Sequence, residues 1–99
     1  MSAYFVARIR IHDEALYRKY LETAGRVCER YEAEFLAVDN APRTLEGKQF
    51  NGRVVLIRFP SEEALERWYF SDDYQEILRF RLAAADCEAV MVKGLEPTR

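Results

Sequence analysis

Residues Arg53–Phe59 read RVVLIRF, and this short run decides the fold. Its β-branched and aromatic side chains suit a pleated strand. A strand with one wet face alternates apolar and polar residues, whereas Val54, Val55, Leu56 and Ile57 are apolar on both faces. Two other runs share the property: Phe35-Leu36-Ala37-Val38 upstream and Ala89-Val90-Met91-Val92 near the C-terminus. A sheet built from such strands needs a cover on each side.

Downstream of this run, Pro60 and Ser61 start a helix, with Ser61 as cap and Glu62 and Glu63 in the first turn, where the helix dipole favours anions. The helix carries Leu65, Trp68 and Tyr69. A break follows at Ser71-Asp72-Asp73, and Asp72 with Gln75 three residues on predicts a capping box. Tyr74, Ile77, Leu78 and Leu82 continue the apolar stripe to about Ala85, and Cys87–Lys93 predicts a strand. Upstream, Asn40–Gly52 is rich in Pro, Gly and Asn and reads as a long turn region, or as an extended hairpin with Thr44–Glu46 in one arm. Ala33–Asp39 predicts a strand. Asp13 caps a helix to about Tyr31, whose stripe is Leu16, Tyr20, Ala24, Val27 and Tyr31, with Tyr17, Leu21 and Cys28 beside it. At the N-terminus Phe5, Ala7, Ile9 and Ile11 share one strand face, and Tyr4, Val6, Arg8 and Arg10 share the other.

The order β-α-β-β-α-β predicts a single α+β domain of the ferredoxin-like kind over residues 1–94, followed by a short polar tail at 95–99. Its simplest closure is a four-stranded antiparallel sheet with two helices on one face. The other face would expose an apolar patch unusual for a monomer. The economical cover is the same face of a second copy, so a homodimer burying roughly 1,200–2,000 Å² is expected. The alternative cover is the 40–52 segment with the tail.

Composition narrows the partners. The 99 residues carry 15 basic and 17 acidic side chains, a net charge of −2, with no Lys/Arg-rich run. The electrostatic footprint of a nucleic-acid binder is therefore missing. Apolar runs last only a few residues, far short of the roughly 20 that span a bilayer. The N-terminus enters the strand pattern at once, without the features of a signal peptide. A soluble, cytoplasmic protein is expected. Cys28 and Cys87 stand in no CxxC motif or Cys/His cluster, so they are expected to be reduced thiols, and neither a metal site nor a cofactor is expected.

Several residues could carry chemistry. His12, the only histidine, stands where the first strand meets the first helix and is a candidate general base, with Tyr74 as a second catalytic candidate. A surface turn explains His12 more simply. Arg8, Arg10 and Arg58 interrupt apolar strands, and charges in such runs usually need a partner or a purpose. One reading is a clamp for a carboxylate or phosphate, whose geometry suits the guanidinium fork. The other, more economical, is a set of ion pairs with Glu34, Asp39, Glu46 or Glu88. Trp68, Tyr69, Phe70 and Tyr74 surround the helix break and could line a pocket, although aromatics at helical spacing are more often core. The candidate ligand-binding set is therefore Arg8, Arg10, Arg58, Trp68 and Tyr74, placed between the helices and the sheet or at the dimer seam, with a small organic acid as candidate partner.

These residues also carry a resemblance. Phe59-Pro60-Ser61 running into Glu62-Glu63-Ala64, then Trp68-Tyr69 and Ser71 with Tyr74, resemble the central signature of the domain of unknown function thirteen-thirty. Leu45-Glu46-Gly47, and Arg81 with the alanines after it, fit the same pattern. The resemblance implies a ferredoxin-like fold within the dimeric α+β barrel superfamily. That superfamily also holds cofactor-free monooxygenases, isomerases and plain binding proteins, so fold analogy selects no reaction. Ala33-Glu34 and Val38-Asp39-Asn40 stand where the family pattern has a glycine pair and an Arg-Gly-Gly, so any ligand contact of that family arginine is not expected here. Two functional classes stay open: a homodimeric module that binds a small organic anion or simply assembles, and a cofactor-free enzyme acting on a small aromatic or carboxylic substrate.

Overall fold

The alternation in the first nine-residue run organises the sheet. In the computed structural model, described for residues 1–95, β1 (Ala3–Ile11) pairs antiparallel with β3 (Arg53–Phe59) on one side and β4 (Ala85–Lys93) on the other. The edge strand β2 (Glu34–Asp39) pairs with β3 and completes the order β2-β3-β1-β4. A bulge between Phe35 and Ala37 shifts the register of β2. This is the βαββαβ ferredoxin-like arrangement, with α1 (Glu14–Arg30), α2 (Glu62–Tyr69) and α3 (Asp72–Ala84). No helix among the described residues is long and apolar enough to cross a membrane.

One sheet face forms the core. Phe5, Ala7 and Ile9 of β1 and Val55, Ile57 and Phe59 of β3 are buried under the helices, together with Tyr17, Tyr20, Ala24, Val27 and Cys28 of α1. Trp68 of α2 is fully buried between Phe5, edge-on with its centroid at 5.0 Å, Phe59 at 5.1 Å and Tyr74 at 4.3 Å. Aromatic rings in such offset and edge-to-face geometry bury much apolar area and fix one another's orientation.

Local details depart from the expected ones for physical reasons. The second helix breaks where the sequence places the break, giving α2 and α3, but the cap of α3 is Ser71 rather than Asp72. Ser71 Oγ accepts from the Tyr74 N–H and donates to the Trp68 carbonyl, so one hydroxyl closes α2 and opens α3. Gln75 is drawn away from a capping box because its amide donates to the Tyr69 carbonyl, 2.7 Å away. Leu82 is exposed rather than part of the stripe, and so is Leu21. The β2–β3 pair is not extended by further strand: residues 40–52, with Thr44–Glu46 among them, are irregular, pinned where the Phe50 N–H donates to the Thr44 hydroxyl and Phe50 buries its ring. β4 begins at Ala85, directly after α3. The tail expected at 95–99 lies, apart from Leu95, outside the described residues.

The second face of the sheet is lined by Tyr4 and Val6 of β1, Val54 and Leu56 of β3, Ala37 of β2, and Val90 and Val92 of β4. Val90 is 58% and Val92 43% exposed within the single chain. The 40–52 segment reaches only one corner of this face, where Arg8 and Arg10 lie over the Phe50 ring at 4.4 and 4.8 Å. The centre of an apolar sheet face is left without a cover from the described residues.

Candidate functional site

The buried stripe of α3 runs Tyr74, Ile77, Leu78, Arg81 and Ala84, which puts an arginine where the pattern calls for an apolar residue. Arg81 is only 2% exposed. Its Nη2 donates a long 3.4 Å hydrogen bond to the Tyr74 hydroxyl, while Nε and Nη1 are buried with no hydrogen-bond partner. The guanidinium lies 5.5 Å from the Tyr20 ring and 5.9 Å from the Phe5 ring, and no carboxylate pairs with it among the described residues. Burial opposes the charge, but the Tyr74 and Tyr20 oxygens more than offset it and hold the group above the ordinary arginine value, so it stays a cation.

This cation faces a cavity of about 200 Å³ between α1 and the sheet. Its walls are largely apolar, from Phe5, Ala7, Val55 and Ile57 of the sheet and Ala24 of α1, and its lining contains no Asp or Glu. Taking about 30 Å³ per liquid water, the space equals roughly seven waters, the scale of a small organic acid. The other polar groups on or beside it are the Arg53 guanidinium, hydroxyls and a thiol. Tyr20 and Tyr74 share a buried hydrogen bond of 2.7 Å in which either oxygen can be the donor. Burial pushes the phenols of Tyr20, Tyr74 and Tyr17 upward and the Cys28 thiol to about 11. At neutral pH the cavity therefore presents fixed guanidinium charge among protonated donors.

The residues singled out from the sequence fall into two groups on opposite sides of the sheet. Trp68 and Tyr74 belong to the helix side, Tyr74 touching Arg81 directly. Arg8 and Arg58 lie on the other face, where Arg8 pairs with Glu88 at 3.1 Å and Arg58 with Glu34 at 3.0 Å. Both carboxylates are among the partners the sequence offers. The strand register sets Arg58 opposite Tyr4 and Arg8 opposite Val54, four residues apart along β3, or about 13 Å. The two guanidinium groups do not converge. Arg10 lies over Phe50 at the same end as Arg8. His12 is exposed in the turn after β1, its backbone N–H donating to the Ala84 carbonyl. No metal-binding cluster of His, Cys, Asp or Glu occurs among the described residues.

A family-level match described as "Domain of unknown function (DUF1330)" spans residues 2–95. No curated protein matches the chain. Among solved structures, a protein of unknown function from Rhodopseudomonas palustris is similar at a TM-score of 0.80 and 21% identity, covering 97% of this chain and 84% of that one. The cofactor-independent oxygenase SnoaB from Streptomyces nogalater is similar at 0.67 and 14% identity, covering 96% and 94%. A dimeric ferredoxin-like protein of unknown function from Jannaschia sp. CCS1 is similar at 0.66 and 13% identity, covering 95% and 100%. At these identities the likeness establishes the fold and no activity.

Proposed function

This chain belongs to the family of the domain of unknown function DUF1330, and from that premise we propose that it is a homodimeric binding module for a small organic carboxylate, held in the helix–sheet cavity by Arg81. The single observation that carries the reading is an arginine 2% exposed, with two unpartnered nitrogens, on the wall of an apolar cavity. A buried unpaired charge is costly, and a cavity beside it lets a carboxylate supply the missing acceptors as a bidentate partner. Tyr20 and Tyr74 serve as neutral hydroxyls that orient the guanidinium, and Trp68 backs Tyr74.

Binding is favoured over catalysis because the cavity lining contains no Asp, Glu or His to act as a base, and burial pushes Tyr17, Tyr20 and Cys28 on its wall towards their protonated forms. The dimer rests on the uncovered apolar face of the sheet, and the similar Jannaschia protein is itself dimeric. Free Cys28 and Cys87 fit a reducing compartment, so a cytoplasmic location belongs to the same reading.

Thermal shift tests the ligand. A panel of aliphatic and aromatic monocarboxylates, benzoate among them, is expected to raise the melting temperature of the native protein by several degrees. Saturation at 100 times Kd stabilises by about 2.7 kcal/mol. The same acids are expected to leave Arg81→Met unmoved. A shift of equal size in both proteins removes Arg81 from the site, and no shift with any acid removes the carboxylate.

A further inference from the structure

Arg81 is not the only cation on this cavity. Arg53, the first residue of β3, also lines it, and it lines as well a wide groove of about 890 Å³ formed by residues 40–52 against the end of the sheet. Ile9, Tyr17, Leu21 and Arg53 are common to both spaces, so the groove and the cavity adjoin at Arg53. Arg53 Nη1 donates to Asn40 Oδ1 at 2.8 Å, its guanidinium sits 5.7 Å from the Tyr17 ring, and its Nε is buried without a partner. No carboxylate pairs with it among the described residues. Tyr17 feels both guanidinium groups, each of which draws its phenol downward against the effect of burial.

From this arrangement we infer that the preferred ligand is a dicarboxylate, with one carboxylate on Arg81 inside the cavity and the other on Arg53 at its mouth. The inference rests on the carboxylate reading above and adds its charge and length. Two cations line one apolar space that has no acidic wall residue, and each keeps an N–H that nothing in the described chain satisfies. A monocarboxylate satisfies one of them. A single compact dianion such as phosphate fits less well, because Arg53 borders the groove and Arg81 does not, so the charges stand at different depths with apolar wall around them. A chain of methylenes or an aromatic ring between two carboxylates matches that wall. The groove holds Arg53 ready through Asn40, and Arg10 and Arg43 against Glu14 keep it net positive, which favours the approach of a dianion.

Titration calorimetry on the native protein, with a series of α,ω-dicarboxylates from succinate upward and the monocarboxylate of equal carbon number for each, tests this directly. The best dicarboxylate is expected to bind about tenfold or more tighter than its matched monocarboxylate, the scale of one added charge-assisted contact. Arg53→Gln is expected to collapse that ratio towards one, and Arg53→Lys, which keeps charge without the fork, to leave an intermediate ratio. A native ratio near one, or a ratio that survives Arg53→Gln, overturns the dicarboxylate inference. Arg81→Met separates the two levels of the argument. If monocarboxylates still depend on Arg81, only the second charge is wrong, and if no acid binds the native protein, both readings fall.

Discussion

Ile57→Asp is expected to cost several kcal/mol of folding stability, whereas Leu56→Asp one residue earlier is expected to leave a folded chain that no longer dimerises. Ile57 is 3% exposed and points at the helices from the middle of β3, the second-to-edge strand. An aspartate there would bury a carboxylate between the apolar register partners Phe5 and Phe35, on the wall of the cavity that Arg81 also lines, and would remove the packing of the isoleucine. Loss of that packing together with the desolvated carboxylate costs on the order of 4–5 kcal/mol, a large share of the roughly 5–15 kcal/mol that a domain of this size possesses. Circular dichroism melting checks it: a parent-like transition for Ile57→Asp contradicts the assignment of that face to the core. Leu56 faces the other way, half-buried among Val6 and the apolar residues of the uncovered face. Its aspartate keeps water in the monomer and loses it only in the dimer. Sedimentation at micromolar concentration is expected to give a dimer for the parent and a monomer for Leu56→Asp. A parent that sediments as a monomer ends the dimer proposal.

Arg81→Met is expected to make the ligand-free protein more stable while destroying its affinity for carboxylates. Removing Arg81 relieves two unpartnered buried nitrogens, each costing about 1–3 kcal/mol. Methionine fills a similar volume and adapts to the irregular wall. Against this stand the long bond to Tyr74 and the contacts with the Phe5 and Tyr20 rings, together worth about 1–2 kcal/mol. The net is a gain of about 2–3 kcal/mol, each kcal/mol raising the melting temperature by about 4–8 °C. Loss of a bidentate, charge-assisted pair of about 3 kcal/mol lowers carboxylate affinity more than a hundredfold. Opposite signs for stability and binding are what a site kept at the expense of stability should give. A variant that melts far below the parent without ligand would assign Arg81 to the scaffold instead.

The fold was legible because its signals are redundant. The alternation of Phe5, Ala7 and Ile9, the doubly apolar Val54–Ile57 run, the caps at Asp13 and Ser61 and the α1 stripe all point to the same sheet and helices. The restart of α3 was harder, because Ser71, Asp72 and Asp73 are all capable caps and only the position of Trp68 makes the Ser71 hydroxyl useful to both helices. The site was half legible. Arg8 and Arg58 drew attention as charges in apolar strands, but period-two alternation alone does not say which glutamate stands across the sheet. Arg81 carried a usable signal that Leu82 obscured. At 100° per residue Arg81 lies about 20° from Tyr74 around the helix and Leu82 about 80° away, so geometry favours the arginine although hydropathy favours the leucine. A charged residue at the centre of an otherwise apolar stripe is the pattern to look for. Arg53 had no such signal, since its partner-free Nε depends on how residues 40–52 pack against the sheet end.

The central claim is that the Arg81 guanidinium waits for a carboxylate, and the N–H resonances of the arginine side chains report on it directly. In isotope-labelled native protein titrated with benzoate, the Arg81 Nε–H signal, assigned by its loss in Arg81→Met, is expected to move downfield and saturate as its unpartnered N–H gains an acceptor. The Arg8 and Arg58 signals, already paired with Glu88 and Glu34, are expected to stay in place. An Arg81 signal that holds still throughout the titration, or shifts confined to Arg8 and Arg58, would contradict the account.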